Sequence, residues 1–105
     1  MILILKHKWF DMIAAGSKRE EYRAHCKRYL DMADRLLRLQ PQDRVIEFRR
    51  GYTRTAMRLS VVNIGIAECV VTRSLLREQG MHLLEEWGFD KSRKTIVFQL
   101  GRKVG

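Results

Sequence analysis

A helix that halts at Gly16 and passes directly into Lys18-Arg19-Glu20-Glu21-Tyr22-Arg23 constrains this chain more than any other stretch. Trp9, Phe10, Met12 and Ile13 recur at helical spacing, Ala14 and Ala15 extend the turn, and Gly16 can take the left-handed conformation that ends it. A lysine, two carboxylates and an arginine follow, on a segment (residues 18–23) that alternates weakly as a short strand. Charges set beside a rigid helix end can form a site or a solvated face, and the residue types alone leave both open. For Lys18 and Glu21 to converge, Lys18 must still belong to the turn, because strand positions three apart point to opposite faces.

The rest of the chain is punctuated in the same short packets. Residues 1–6 are apolar on both faces, which predicts a central, fully covered strand. A helix is expected over residues 8–15. A second runs over about 25–39, with Cys26, Tyr29, Leu30, Ala33, Leu36 and Leu37 on its apolar side and Lys27, Arg28, Asp31, Asp34, Arg35 and Arg38 opposite. Pro41 stops it. Strands are expected at 44–49, 55–67 and 95–100, and a parity switch at Val61-Val62 predicts a bulge or bend in the long one. Residues 69–79 fit no single period, and Met81 to Trp87 reads as a short helix ended by Gly88. Short strands with interspersed helices predict an α+β barrel, and their irregular order argues against a doubly wound sheet. A chain of 105 residues is expected to be a single domain over 1–105.

Charge narrows the partners. The formal net charge is +9, from 21 lysines and arginines against 12 acids. Arg49, Arg50, Arg54 and Arg58 follow one another with no acid between them, and Lys91, Arg93, Lys94, Arg102 and Lys103 form a second such cluster. A basic surface concentrates polyanions, and arginine forks onto phosphate oxygens. Nucleic acid is therefore the expected partner, with an acidic protein as the alternative. No apolar run approaches the ~20 residues that span a bilayer, so no membrane is expected. The opening Ile2 to Leu5 run is too short for an export signal. A cytoplasmic location is expected, with Cys26 and Cys69 as reduced, buried thiols.

Arg49-Arg50-Gly51-Tyr52-Thr53-Arg54 is a second constellation. Basic residues interleaved with an aromatic suit single-stranded nucleic acid, with Tyr52 as a stacking ring, or a solvated loop with Tyr52 folded onto the core. Trp9 and Trp87 read as core anchors. His7, His25, His82, Cys26 and Cys69 show no metal-ligand spacing, and no phosphate-binding glycine loop is present, so no cofactor or metal is expected.

Gly16-x-Lys18-x-x-Glu21-x-Arg23, after an aromatic-rich helix, resembles the G-x-K-x-x-E-x-R signature of ASCH domains. At average residue usage, four fixed positions should arise by accident in roughly one chain of this length in a thousand. The Glu20-Glu21-Tyr22-Arg23 form, followed by Arg50-Gly51-Tyr52, is similar to a bacterial and phage subgroup. The resemblance implies a PUA-like small β-barrel of about five to six strands with two to three flanking helices. It implies RNA binding in a cleft of Lys18, Arg19, Glu21 and Arg23, with Arg49, Arg50, Tyr52, Arg54 and Arg58 as a basic rim. The alternatives it carries are a metal-independent ribonuclease and an amidohydrolase acting on a modified nucleoside such as N4-acetylcytidine. Lys18 matches the lysine of such amidohydrolases, but Glu21 stands where they have threonine, so amide hydrolysis is in doubt. If the chain is an enzyme, Lys18 and Glu21 are the catalytic candidates, with Glu68 as the stand-in for a distant acid. A phage-encoded protein-interaction module would use the same basic face.

Overall fold

A computed structural model of the chain describes residues 1–69, 86–90 and 93–104, without the side chains of residues 68 and 69. The expected helix at Met81 to Trp87 and the ambiguous stretch at 69–79 lie largely outside the described residues. Five strands form one sheet: β1 (Ile2–Leu5), β2 (Glu20–Ala24), β3 (Val45–Arg50), β4 (Arg58–Cys69) and β5 (Thr95–Val104). Their spatial order is β1-β3-β4-β5-β2. Only β1 and β3 run parallel, and every other pair is antiparallel. Two helices complete this curled half-barrel, α1 (His7–Ala14) and α2 (Lys27–Arg38).

The core is made by alternation. Ile46 and Phe48 of β3 and Ile96, Phe98 and Leu100 of β5 share one face with Val61. Phe10 and Ile13 of α1 and Ala33 and Leu36 of α2 close over it. Val97 points the other way, into a smaller cluster with Trp87 and Phe89, which explains why four consecutive residues of β5 are buried. The expected bulge is present as register shifts around Asn63, whose side-chain amide donates to the carbonyls of Gly65 and Gln99 at 3.0 Å each.

Two expectations need correction. β1 is an edge strand, hydrogen-bonded to β3 alone, and Ile2 is 48% exposed. Leu3 and Leu5 are buried in the core with residues of α1 and α2, whereas Ile2 is exposed and Ile4 half-buried on the other face. Cys26 is exposed, because it sits at the start of α2, outside the apolar stripe.

Arg44 holds the far end of α2. Its guanidinium donates to the carbonyls of Leu36 (3.0 Å), Leu37 (3.1 Å) and Leu39 (3.1 Å), at the end of α2 where carbonyls run short of helical partners. A cation there also meets the negative end of the helix dipole. Arg44→Ala is expected to lower stability by about 1–2 kcal/mol, read as a lower urea midpoint with an unchanged slope.

Candidate functional site

Gly16 takes φ +79°, and the chain turns sharply enough for the N–H groups of both Ser17 and Lys18 to bond the Met12 carbonyl. Lys18 therefore belongs to the turn, before β2 starts at Glu20. Its ammonium is carried inward, 3.2 Å from Oε1 of Glu21, and also donates to the Trp87 carbonyl. The Trp87 indole N–H returns a bond to the Ser17 carbonyl at 2.7 Å, so turn and tryptophan clamp each other. Gly88 follows with φ +94°, and a Cβ there would lie 2.9 Å from the Trp9 ring, so only glycine fits between the two tryptophans.

Glu21 is the hub. Its Oε1 accepts from Lys18, and its Oε2 accepts from Arg23 through NH2 at 2.8 Å and Nε at 3.2 Å. Arg23 also donates to the Tyr29 hydroxyl (3.2 Å) and to the Ile4 carbonyl (3.1 Å). The last bond spans the gap where the sheet fails to close, tying β2 to β1 through a side chain. Lys18 is 3% and Glu21 4% exposed. Burial pushes the Lys18 ammonium below its usual range, and Glu21 pushes back. The ammonium also lies 4.6 Å from the ring centre of Trp9 and 5.1 Å from that of Tyr22.

These groups floor a cleft of about 790 Å³. Lys6, His7, Trp9, Tyr22, Tyr29, Tyr52 and Trp87 line it with Lys18, Glu21 and Arg23. Lys18, Glu21, Arg23 and Tyr52 are thus brought together, with Tyr52 88% exposed at the mouth. Arg19 turns away and lies 5.8 Å from the Trp87 ring centre. Arg49, Arg50, Arg54 and Arg58 do not line the cleft. Arg49 pairs with Glu47 at 2.9 Å, and Arg50 forks onto Asp11 at 2.8 and 3.1 Å, pinning β3 to α1. Glu68 sits on β4 opposite Ile96, and its side chain lies outside the described residues.

The sequence reading missed Lys6, His7 and Tyr29, and it assigned Trp9 and Trp87 to the core alone. Trp87 is buried, yet its carbonyl fixes Lys18, and half-buried Trp9 forms a wall. The available signal was the Lys6-His7-Lys8-Trp9 run, in which basic and aromatic residues interleave ahead of the glycine turn. Among the described residues, no group of three or more His, Cys, Asp or Glu converges as a metal site would require. No described helix is long and apolar enough to cross a membrane.

No family model matches the sequence, and no curated protein matches it. A structural relative exists. The crystal structure of a point mutant of ZmASCH from Zymomonas mobilis superposes with a TM-score of 0.57 at 16% identity, covering 96% of this chain and 66% of that one. The architecture is that of a PUA-like α+β small barrel. Within that class, the chain has the fold of an ASCH domain and spans about two thirds of that protein's length.

Two substitutions probe the floor. Glu21→Gln strands the buried Lys18 and the half-buried Arg23 and is expected to cost about 3–5 kcal/mol, whereas Lys18→Met leaves Glu21 paired to Arg23 and costs less; urea titration orders them. Glu20 is the second case. It is 1% exposed, its Oε1 accepts from the Tyr22 hydroxyl at 2.9 Å, and its Oε2 has no partner among the described residues. Burial raises its pKa, so the folded state resists ionisation and Glu20 weakens the fold as pH rises above the ordinary carboxylate range. Glu20→Gln is expected to raise the melting temperature at pH 7, with a gain that shrinks toward pH 4.

Proposed function

We propose that this chain binds single-stranded nucleic acid, RNA in particular, and seats one base in the cleft between β1 and β2. The observation that carries the reading is the donor count at the cleft floor. Four of the five guanidinium N–H groups of Arg23 are engaged, and two of the three on Lys18. Each cation thus keeps one donor, too few for the bidentate grip that a phosphate takes from a free arginine. Single donors beneath walls of Trp9, Tyr22, Tyr29 and Tyr52 suit a flat ring with carbonyl acceptors. The phosphates then fall to cations outside the floor, of which Lys6, Lys8, Arg54 and Arg58 carry no ion pair among the described residues.

Turnover is the less favoured reading. A general base needs a carboxylate oxygen free to take a proton, and each oxygen of Glu21 is held by a cation. Incubation with RNA in chelator is expected to leave the RNA intact. Cleavage that disappears in Lys18→Met would make the floor catalytic instead.

Titration with a labelled single-stranded RNA should show affinity falling at least about tenfold between roughly 50 and 200 mM salt. Tyr52→Ala, at an exposed side chain, should weaken binding by about 1–3 kcal/mol. Equal affinity at both salt concentrations would overturn the proposal.

A further inference from the structure

We infer that a second, acid-free depression beside the cleft carries the backbone phosphates of the bound strand. The inference rests on the reading of the cleft as a nucleic-acid site and assigns the direction in which the strand leaves it. The depression has a volume of about 320 Å³ and is lined by Gly16, Lys18, Arg19, Gly101, Arg102 and Lys103. Lys18 lines both hollows, so they share a wall. Arg19 leads into β2, while Arg102 and Lys103 belong to β5. The Leu100 N–H to Arg19 carbonyl bond, at 2.9 Å, holds the two segments side by side.

Pairing separates these cations from five others on the surface. Lys27 pairs with Asp31, Arg38 with Asp34, Arg49 with Glu47, Arg50 with Asp11 and Arg93 with Asp90. Such contacts neutralise their charge locally and occupy the donors that a phosphate would need. Arg19 and Arg102 have no carboxylate partner among the described residues, and both are exposed. The adjacent Glu20 is buried and bonded to Tyr22. Lys103 donates to the Ala14 carbonyl at 2.6 Å, which fixes its position yet leaves its charge uncompensated and two of its three N–H groups available.

A hollow also flanks the cleft on the other side, sharing Tyr29 with it, and holds Arg28 and Arg35. Asp31 stands between those two arginines in sequence and lines the same hollow. A polyanion passing there meets a carboxylate. Passing over Arg19 and Arg102 it meets none among the described residues that line the depression. The strand therefore runs from the cleft across the glycine turn toward the end of β5.

The test uses a labelled, mixed-sequence, single-stranded octaribonucleotide, titrated over a salt series against three forms of the chain. Wild type should bind with a salt-dependent affinity. Arg19→Gln combined with Arg102→Gln should bind about tenfold more weakly at low salt, and the slope of log affinity against log salt should flatten by about 0.7 for each lost contact. Arg28→Gln combined with Arg35→Gln should stay within about twofold of wild type. An unchanged slope in the first variant, with wild type still binding, overturns the path and leaves the cleft reading standing. A loss confined to the second variant also overturns it. No binding by wild type overturns both together. Matching melting temperatures for the three forms exclude a folding defect, since both pairs of arginines are exposed.

Discussion

One buried carboxylate shared by two cations, Lys18 buried and Arg23 half-buried, is the interaction on which the rest of the site depends. Taking Lys18 and Arg23 out of water carries a desolvation penalty of several kcal/mol per ion, and their mutual repulsion adds to it. Glu21 offsets both because each of its oxygens meets a different cation, at 3.2 and 2.8 Å. That geometry requires Lys18 and Glu21 to approach from different backbone conformations. A strand alone would send them to opposite faces. The Gly16 turn solves this by holding Lys18 off the strand, with its N–H fixed to the Met12 carbonyl. The glycine, the lysine and the glutamate are therefore one device.

The sheet explains why the device sits where it does. β1 and β2 are the two edges of the five-stranded sheet, and neither pairs with the other. An unpaired edge exposes carbonyls that must find donors. Arg23 supplies one to Ile4 while its other donors go to Glu21 and Tyr29. The guanidinium thus replaces a rung of backbone hydrogen bonding and leaves a hollow beside itself. A fully paired sheet would have no such hollow. Failure of closure between β1 and β2 is what leaves the cleft open, and aromatic rings rather than strands wall the space.

The fold was largely legible in the sequence because its elements are short and sharply punctuated. Gly16 and Pro41 end the helices where expected, and the parity switch near Val62 appears as the register shifts around Asn63. The convergence of Lys18, Glu21 and Arg23 was legible too, since a turn residue and two same-face strand residues leave few other arrangements. What stayed hidden depends on tertiary pairing. Ile2 to Leu5 reads as a covered central strand, yet it is an edge, because strand order is set by β3 and β4 coming between β1 and β5. The fork from Arg50 to Asp11 joins residues far apart in the chain, so the sequence shows an arginine cluster and conceals that two of its members are already occupied. Trp87 contributes a backbone carbonyl to Lys18, and no side-chain pattern announces a carbonyl.

That last point bears on how a net charge of +9 should be understood. Counting charges treats every arginine as equally able to hold a phosphate, and the structure divides them by what they already hold. Arg44 is spent on the end of α2, Arg23 on the open edge, Arg50 on α1 and Arg49 on its strand neighbour. The excess that remains is spread unevenly, and the part next to the cleft lies at Lys6 on one rim and at Arg19, Arg102 and Lys103 behind the glycine turn. A field from those positions would draw an anion toward a surface where an aromatic hollow is also open. On the proposed reading, long-range attraction and short-range fit would be supplied by different residues: free cations would bring a polyanion near, and a floor whose charges are almost fully engaged would select what enters.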